Sequence, residues 1–163
     1  MKDNITVLLF SSQNIVFGVY AGQVEELLKI GDVIGTESFD QECRVQYNAQ
    51  EFQIIDFSQR LQLEERPERR GKIKVLSEEQ RYPQGAGDIS TLEPSPKILM
   101  VKHEHQEGGR GIYLECPKQL MSLPVHCIHR LPVLMRENTR VPAIWGIALV
   151  EGRPIILVDL TQL

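Results

Sequence analysis

The feature that most constrains the fold of this chain is a hairpin-like segment that occurs twice in the sequence. The carboxyl-terminal stretch 141–163 reads VPAIWGIALVEGRPIILVDLTQL, with apolar runs on both sides of a Glu151-Gly152 turn. Short apolar runs that flank a glycine-containing turn predict a β-hairpin. A weaker copy, FQIIDFSQRL, lies at 52–61 and aligns Asp56 with Asp159.

Two further blocks repeat in the same order. The segment 17–30 aligns with 110–123 at a shift of 93 positions, which places Gly18 on Gly111, and the apolar run at 5–10 falls on 98–103 at the same shift. The shift grows to 103 at the closing hairpins, where Asp56 meets Asp159. Three matched blocks in one order predict an internal duplication.

The duplication predicts an all-β fold with short helices, made of two pseudo-repeated, five-stranded SH3-like barrels on a shared core. Subdomain one covers about 1–63, a charged, Pro- and Gly-containing linker about 64–97, and subdomain two about 98–163. Closure into barrels is expected because it removes exposed strand edges. Each half is small enough that its own core is marginal, so an apolar seam between the halves is predicted.

The local pattern predicts further elements. Polar turns are expected at 11–14 and 48–51, another turn at Cys116-Pro117, and a short helix from Phe57 to Leu63 capped by Asp56. The segment 24–28 has apolar residues at helical spacing, yet a single turn that leads into a strand explains it equally well. The pattern alone does not decide between the two.

Composition excludes several classes of protein. The 163 residues are 42% hydrophobic, enough to bury a core, and carry a net charge of −4, which disfavours nucleic acid as a partner. The amino terminus lacks the pattern of a signal sequence and no apolar run approaches a membrane span, so a cytoplasmic protein without membrane insertion is expected. The three cysteines have unrelated spacings and are expected to be reduced and partly buried.

No motif for catalysis, cofactor binding or metal binding is present. The chain has neither a Gly-rich phosphate loop followed by a helix nor a nucleophile elbow. A hairpin turn explains 108–111, which reads GGRG, and the pair Asp56 and Asp159 is better explained by capping at equivalent ends of the two barrels. The histidines and cysteines of the second half fit no zinc-ligand spacing, so packing or surface roles are expected for them. We therefore predict a protein that is not an enzyme and needs no cofactor.

The closing hairpin resembles that of CheW-like domains, the bacterial chemotaxis adaptor family. Glycine follows the first strand of the hairpin, a second glycine forms the turn, and an Asp-Leu pair ends it; Gly146, Gly152, Asp159 and Leu160 occupy these positions. In the first half, the Phe-Gly-Val of 17–19 and the Val-Glu-Glu-Leu of 24–27 are similar to further motifs of that family. The resemblance covers nearly the whole chain outside the linker.

This resemblance implies two small barrels around one core and no catalytic site. It also implies a scaffold that couples the helical hairpin at the cytoplasmic tip of a chemoreceptor to the regulatory domain of a CheA-type histidine kinase. The family's valine-x-glutamate segment contacts kinase or receptor, which nominates Val24 and Glu26. Trp145, the sole tryptophan, is a candidate interface anchor or a core residue. A receptor hairpin would dock as an amphipathic helix between the barrels.

The sequence also departs from the family. Where the family has a stretch like Asn-Leu-Arg-Gly, this chain has Gln-Tyr-Asn-Ala at 46–49, so a permanently charged bidentate group is missing. A second hypothesis follows: a diverged double-barrel regulatory module that binds another protein or a small ligand without receptor coupling. Nucleic-acid binding by small barrels is a third option, which the acidic net charge disfavours.

Overall fold

The computed structural model describes residues 3–33, 43–61, 95–102, 109–138 and 142–163. Nearly all of the predicted linker 64–97 lies outside these ranges. The strands are β1 (Asn4–Ser12), β2 (Ile15–Tyr20), β3 (Val24–Lys29), β4 (Cys43–Tyr47), β5 (Gln50–Asp56), β6 (Lys97–Val101), β7 (Gly109–Leu114), β8 (Cys116–Pro124), β9 (Ile128–Arg130), β10 (Ile144–Val150) and β11 (Arg153–Val158). The α-helices are α1 (Phe57–Arg60) and α2 (Val133–Asn138), and short 3-10 turns occupy Ala21–Gln23, Ile30–Asp32, Val125–Cys127 and Leu160–Gln162.

The strands form two sheets. Sheet A has the order β8-β1-β2-β11-β10-β9, and sheet B has the order β3-β6-β7-β5-β4. The predicted repeat equates β1 with β6, β2 with β7, β3 with β8, β4 with β10 and β5 with β11. Under these equivalences the two sheets have the same strand order, and sheet A gains β9 at one edge. The predicted fold class, an all-β protein of two barrel-like sheets on a common core, is confirmed.

Neither sheet is built from one half of the chain. The β1–β2 hairpin of the first half lies between β8 and β11 of the second half, and the β6–β7 hairpin of the second half lies between β3 and β5 of the first. Each inserted hairpin pairs with a strand of the other half in parallel: β2 with β11, where Gly18 lies opposite Leu157, and β7 with β5, where Gly111 lies opposite Ile54. The repeat therefore exchanges its first hairpins, and the subdomain boundaries at 1–63 and 98–163 stay a prediction.

The strand register corrects one detail of the repeat. Leu9 pairs with Gly18, whereas Met100 pairs with Gly111. Leu9 therefore matches Met100, at a shift of 91 and not the predicted 93. The offset of two residues preserves which face each side chain occupies, because side chains alternate along a strand. For this reason the apolar pattern aligned almost as well at the wrong shift.

Three buried apolar clusters explain why β1 and β6 are continuous apolar runs. Val7 and Leu9 point into a cluster on the inner face of sheet A, whereas Leu8 points to the opposite face, into a cluster shared by both sheets. In the same way, β6 sends Ile98 into the inner cluster of sheet B and Leu99 into the shared cluster. A strand that is buried on both faces needs apolar residues at every position.

The shared cluster is the predicted seam. Its centre is an aromatic triad in which the Phe57 ring meets Phe10 edge-on at 4.6 Å and Phe17 at 4.9 Å between ring centroids. Phe57 opens α1 directly after Asp56, and Leu160, its repeat equivalent, is buried in the same cluster. The seam therefore brings together residues from both halves of the chain.

The hairpin turns predicted at 11–14 and 48–51 are tighter than the pattern indicated, whereas the predicted Glu151-Gly152 turn is confirmed. Two residues suffice in each, Gln13-Asn14, Asn48-Ala49 and Glu151-Gly152, all with positive φ between 49° and 76°. Two positive φ values are the signature of the type I′ turn, whose twist matches that of the flanking strands. The predicted four-residue turns at 11–14 and 48–51 were too long because the strands continue to the turn residues.

Other local predictions fared unevenly. The turn predicted at Cys116-Pro117 is wrong: both residues belong to β8, which lies next to β1 at the edge of sheet A in the described part of the chain, so the missing proline amide is tolerated there. The helix predicted over 57–63 ends at Arg60. The ambiguity at 24–28 is resolved as a single 3-10 turn followed by the strand β3.

Candidate protein-binding surface

The predicted contact residues Val24 and Glu26 lie on β3, the edge strand of sheet B. A bulge separates them: Val24 pairs with Val101 and Glu26 pairs with Met100, which leaves Glu25 as the extra residue. Val24 packs at the margin of the seam, and both glutamates are exposed. The bulge thus places two adjacent carboxylates at the surface, where regular alternation would bury one side chain of such a pair.

Tyr47 holds Glu26 in place. The Tyr47 hydroxyl donates a hydrogen bond of 3.1 Å to Oε1 of Glu26, while its ring packs against the inner cluster of sheet B. This hydrogen bond raises the pKa of Tyr47, with smaller contributions from partial burial and from the Glu26 charge. Tyr47 lies on β4 and Glu26 on β3, the two opposite edges of sheet B, so the bond joins those edges.

Sequence reasoning did not identify Tyr47 as a site residue. It was noted only as part of the stretch 46–49 that departs from the family pattern. Asn48 and Ala49 nevertheless adopt φ values of 49° and 63°, so the tight turn survives without glycine. An alanine in the left-handed region of backbone dihedral angles costs roughly 1–2 kcal/mol of conformational free energy. The retained turn holds Tyr47 next to Glu26, a pairing with no signal in the local sequence because the two residues are 21 positions apart.

Trp145 belongs to a different part of the molecule. It is half-buried against the inner cluster of sheet A, at a bulge between Ile144 and Gly146. Its carbonyl accepts a hydrogen bond of 3.5 Å from the amide of Leu131. The structure therefore does not bring Trp145 into one cluster with Val24 and Glu26, and its role as an interface anchor stays a prediction.

The paired aspartates act as caps, as predicted. Asp56 accepts from the amide of Gln59 at 3.1 Å, and Asp159 accepts from the amide of Thr161 at 2.9 Å. Burial would raise the pKa of Asp159, but hydrogen bonds from the hydroxyl and amide of Thr161 and from the side chain of Gln23 outweigh it and lower the pKa. Gln23 donates to Asp159 at 2.7 Å, which ties the first half to the end of the second.

The remaining candidate chemistries find no support in the described ranges. These residues contain no cluster of three histidine, cysteine or acidic side chains that could hold a metal ion, and His103 and His105 lie outside them. All three cysteines are half-buried and form no disulfide. Gly109 opens β7, where an added Cβ would collide with the Phe52 ring, so it serves packing. No helix in the described part of the chain is long and apolar enough to cross a membrane.

These features define an all-β protein of two barrel-like sheets that exchange their first hairpins around one seam. One solved structure with this fold is the scaffolding protein TtCheW from Thermoanaerobacter tengcongensis, which matches with a TM-score of 0.66 and 16% identity over 97% of this chain and 90% of that chain. The chain thus has a CheW-like fold. No protein-family model matches it. No curated protein sequence matches it either.

Proposed function

We propose that this protein is a non-enzymatic cytoplasmic adaptor of a chemotaxis-type system, which couples chemoreceptor signalling tips to a CheA-type histidine kinase. The observation that carries the proposal is the match, over 97% of this chain, to the fold of a protein described as a scaffold. The acidic residues that first suggested paired chemistry, Asp56 and Asp159, are used as caps. In this proposal the protein works through partner binding at the surfaces of its sheets and not through a reaction centre.

We propose that β3 carries the kinase-binding surface. Glu26 presents a carboxylate that the Tyr47 hydroxyl fixes at 3.1 Å, and Val24 adds apolar area beside it. A carboxylate held in one orientation gives specificity, because a partner's basic group meets it without first ordering it. Trp145 is proposed as a second anchor, since a half-buried indole offers a large rigid contact area. The receptor's helical hairpin is the other proposed partner.

The test is a binding measurement with the purified regulatory domain of the kinase and a soluble receptor signalling tip. We expect both to bind, and Glu26→Lys to weaken kinase binding by about tenfold or more because it reverses the oriented charge. Glu25→Lys is the matched control: it makes the same change at the neighbouring, exposed residue, whereas the Tyr47 hydroxyl orients Glu26. Binding of the unmodified chain to neither partner would end the adaptor proposal.

A second candidate is a diverged double-barrel module that binds another protein or a small ligand without receptor coupling. It is favoured by Asn48 and Ala49, which replace the arginine and glycine that the family resemblance leads one to expect. Asparagine cannot supply a permanent charge or a bidentate fork. Restoration of kinase activation by this chain in an adaptor-deleted strain would exclude the second candidate.

A further inference from the structure

The first crossover of the chain from one sheet to the other is held by the side chain of Gln23. The chain leaves β2 in sheet A, passes through the 3-10 turn Ala21–Gln23 and enters β3 in sheet B. The side-chain nitrogen of Gln23 donates to Oδ1 of Asp159 at 2.7 Å, and its side-chain oxygen accepts from the amide of Leu160 at 3.2 Å. We call these two hydrogen bonds the Gln23 clamp.

The partners of the Gln23 clamp are themselves fixed. Leu160 is buried in the seam, and the backbone amide of Asp159 donates to the carbonyl of Ala143 at 2.8 Å. The backbone carbonyl of Gln23 accepts from the amide of Lys102 at 2.9 Å, directly after β6. The start of β3 is therefore tied both to the seam and to the end of the neighbouring strand.

The strand β3 depends on such attachment more than an inner strand does. It is an edge strand of sheet B, paired with β6 alone in the described part of the chain, and a bulge interrupts that pairing between Val24 and Glu26. Gln23 directly precedes Val24, so the clamp acts next to the bulge. The Tyr47 hydroxyl holds Glu26 on the other side of the bulge. The bulged segment therefore lies between two points of attachment.

Matching bulges identify Cys116 as the repeat equivalent of Gln23. The bulge of β8 opposite β1 falls at the same place as the bulge of β3 opposite β6. It puts Pro117 in the position of Val24, and hence Cys116 in the position of Gln23. A thiol is a weak donor and a weak acceptor, so Cys116 cannot form an equivalent clamp.

The acceptor of the clamp also differs between the two copies. Asp56, the repeat equivalent of Asp159, accepts a hydrogen bond from the backbone amide of Gln59. Among the residues that the structure describes, no side chain donates to Asp56. The second crossover is thus made without a clamp, whereas the crossover that carries one leads directly into Val24 and Glu26. The fold by itself gives no reason for this difference.

We infer that Gln23 is a positioning residue of the kinase-binding surface. The Gln23 clamp holds the bulge of β3 in the conformation that presents Val24 and Glu26 together. A surface that is ordered before binding gives higher affinity, because ordering side chains during binding costs free energy. This inference deepens the proposed function and rests on it for the identity of the partner. The effect of the clamp on β3 can be measured without any partner.

The test compares Gln23→Met with Thr161→Val in the full chain. Gln23→Met keeps a side chain of similar length and removes both hydrogen bonds of the clamp. Thr161→Val is the matched control, because it removes a hydrogen bond of 2.6 Å to the same oxygen of Asp159 without changing Gln23. Gln23→Asn is a second clamp variant, which keeps a side-chain amide but shortens its reach by one methylene group. Circular dichroism checks that each variant is folded.

The first measurement is hydrogen exchange of the backbone amides of β3, followed by NMR on the free chain. We expect exchange to accelerate by about fivefold or more in Gln23→Met, the equivalent of one net hydrogen bond in a local opening equilibrium. Gln23→Asn should act in the same direction. In Thr161→Val the amides of β3 should exchange at nearly the rate of the unmodified chain, because the clamp is intact.

The second measurement is the affinity for the purified regulatory domain of the kinase. Gln23→Met should weaken binding by about 2- to 12-fold, which corresponds to ordering one side chain on binding, and Thr161→Val should leave it nearly unchanged. In a chain that carries Glu26→Gln, Gln23→Met should have a smaller effect, because the two residues serve one surface. A general loss of stability would weaken binding by the same factor in both backgrounds.

Three results would overturn the inference: unchanged exchange of β3 in both clamp variants, equal acceleration in Thr161→Val, or the same loss of affinity with and without Glu26→Gln. If the unmodified chain does not bind the kinase domain while Gln23→Met alone accelerates exchange of β3, the proposed function fails and the positioning of β3 by Gln23 stands. If the kinase domain binds Gln23→Met and the unmodified chain equally, the inference fails and the proposed function stands.

Discussion

Truncation of Phe57 to alanine tests whether the seam makes the two sheets one cooperative unit. Phe57 is 2% exposed and lies edge-on to both Phe10 and Phe17 in the shared cluster. A buried phenylalanine replaced by alanine loses about 3–5 kcal/mol of unfolding free energy, part of which is the two aromatic contacts. Because each sheet contains strands from both halves, the loss should be felt in both sheets.

Urea unfolding followed by two probes measures this effect. Far-UV circular dichroism reports on all strands, whereas the fluorescence of Trp145 reports on the inner cluster of sheet A, which does not include Phe57. With a dependence on urea of about 1–3 kcal/mol per M, a loss of about 3–5 kcal/mol should lower both midpoints together by roughly 1–5 M. Val125→Ala, an exposed control, should change the unfolding free energy by less than about 0.5 kcal/mol.

A shift of the circular dichroism midpoint with an unchanged Trp145 midpoint would refute this reasoning. It would mean that sheet A folds without the seam, and that the exchanged hairpins do not couple the sheets. Phe57→Leu separates loss of packing from loss of the fold: it keeps the site apolar and should cost less than Phe57→Ala, with both midpoints still coincident.

Two further predictions concern titrating groups. Glu26→Gln should lower the pKa of Tyr47 towards its ordinary value, because it removes the carboxylate acceptor and its charge. An NMR titration of the tyrosines measures this change. The pKa of Tyr113 should stay unchanged, because burial is the main cause of its raised pKa. An unshifted Tyr47 would mean that the hydrogen bond is not formed in solution. Asp159→Ala should cost about 1 kcal/mol at pH 7 through loss of the cap. Since the pKa of Asp159 is lowered in the folded state, its contribution to stability is present above the ordinary pKa and is lost as the pH falls through the folded pKa. Urea unfolding should therefore give a smaller difference in stability between the unmodified chain and Asp159→Ala at pH 3 than at pH 7. A difference that does not change with pH would contradict the role of the Asp159 carboxylate as a cap.

The sequence by itself determined the fold class, the duplication and the ends of the closing hairpins. These depend on local chemistry: apolar runs of strand length, glycine in a two-residue turn, and an aspartate that caps the next turn. Gly18 and Gly111 could likewise be matched, because each makes room in the same way for side chains such as Leu157 and Ile54. The resemblance that these motifs carried is supported by the fold.

Only the tertiary structure decided which strands share a sheet. Exchange of the first hairpins leaves no trace in the sequence, because β1 and β6 are apolar on both faces and would suit either partner. The two-residue error in the alignment of β1 with β6 could not be seen in the sequence, because a shift of two residues leaves each strand side chain on the same face. The hydrogen bond between Tyr47 and Glu26 exists because the two edges of sheet B approach each other. Contacts between distant segments, and not local pattern, set which residues share a surface.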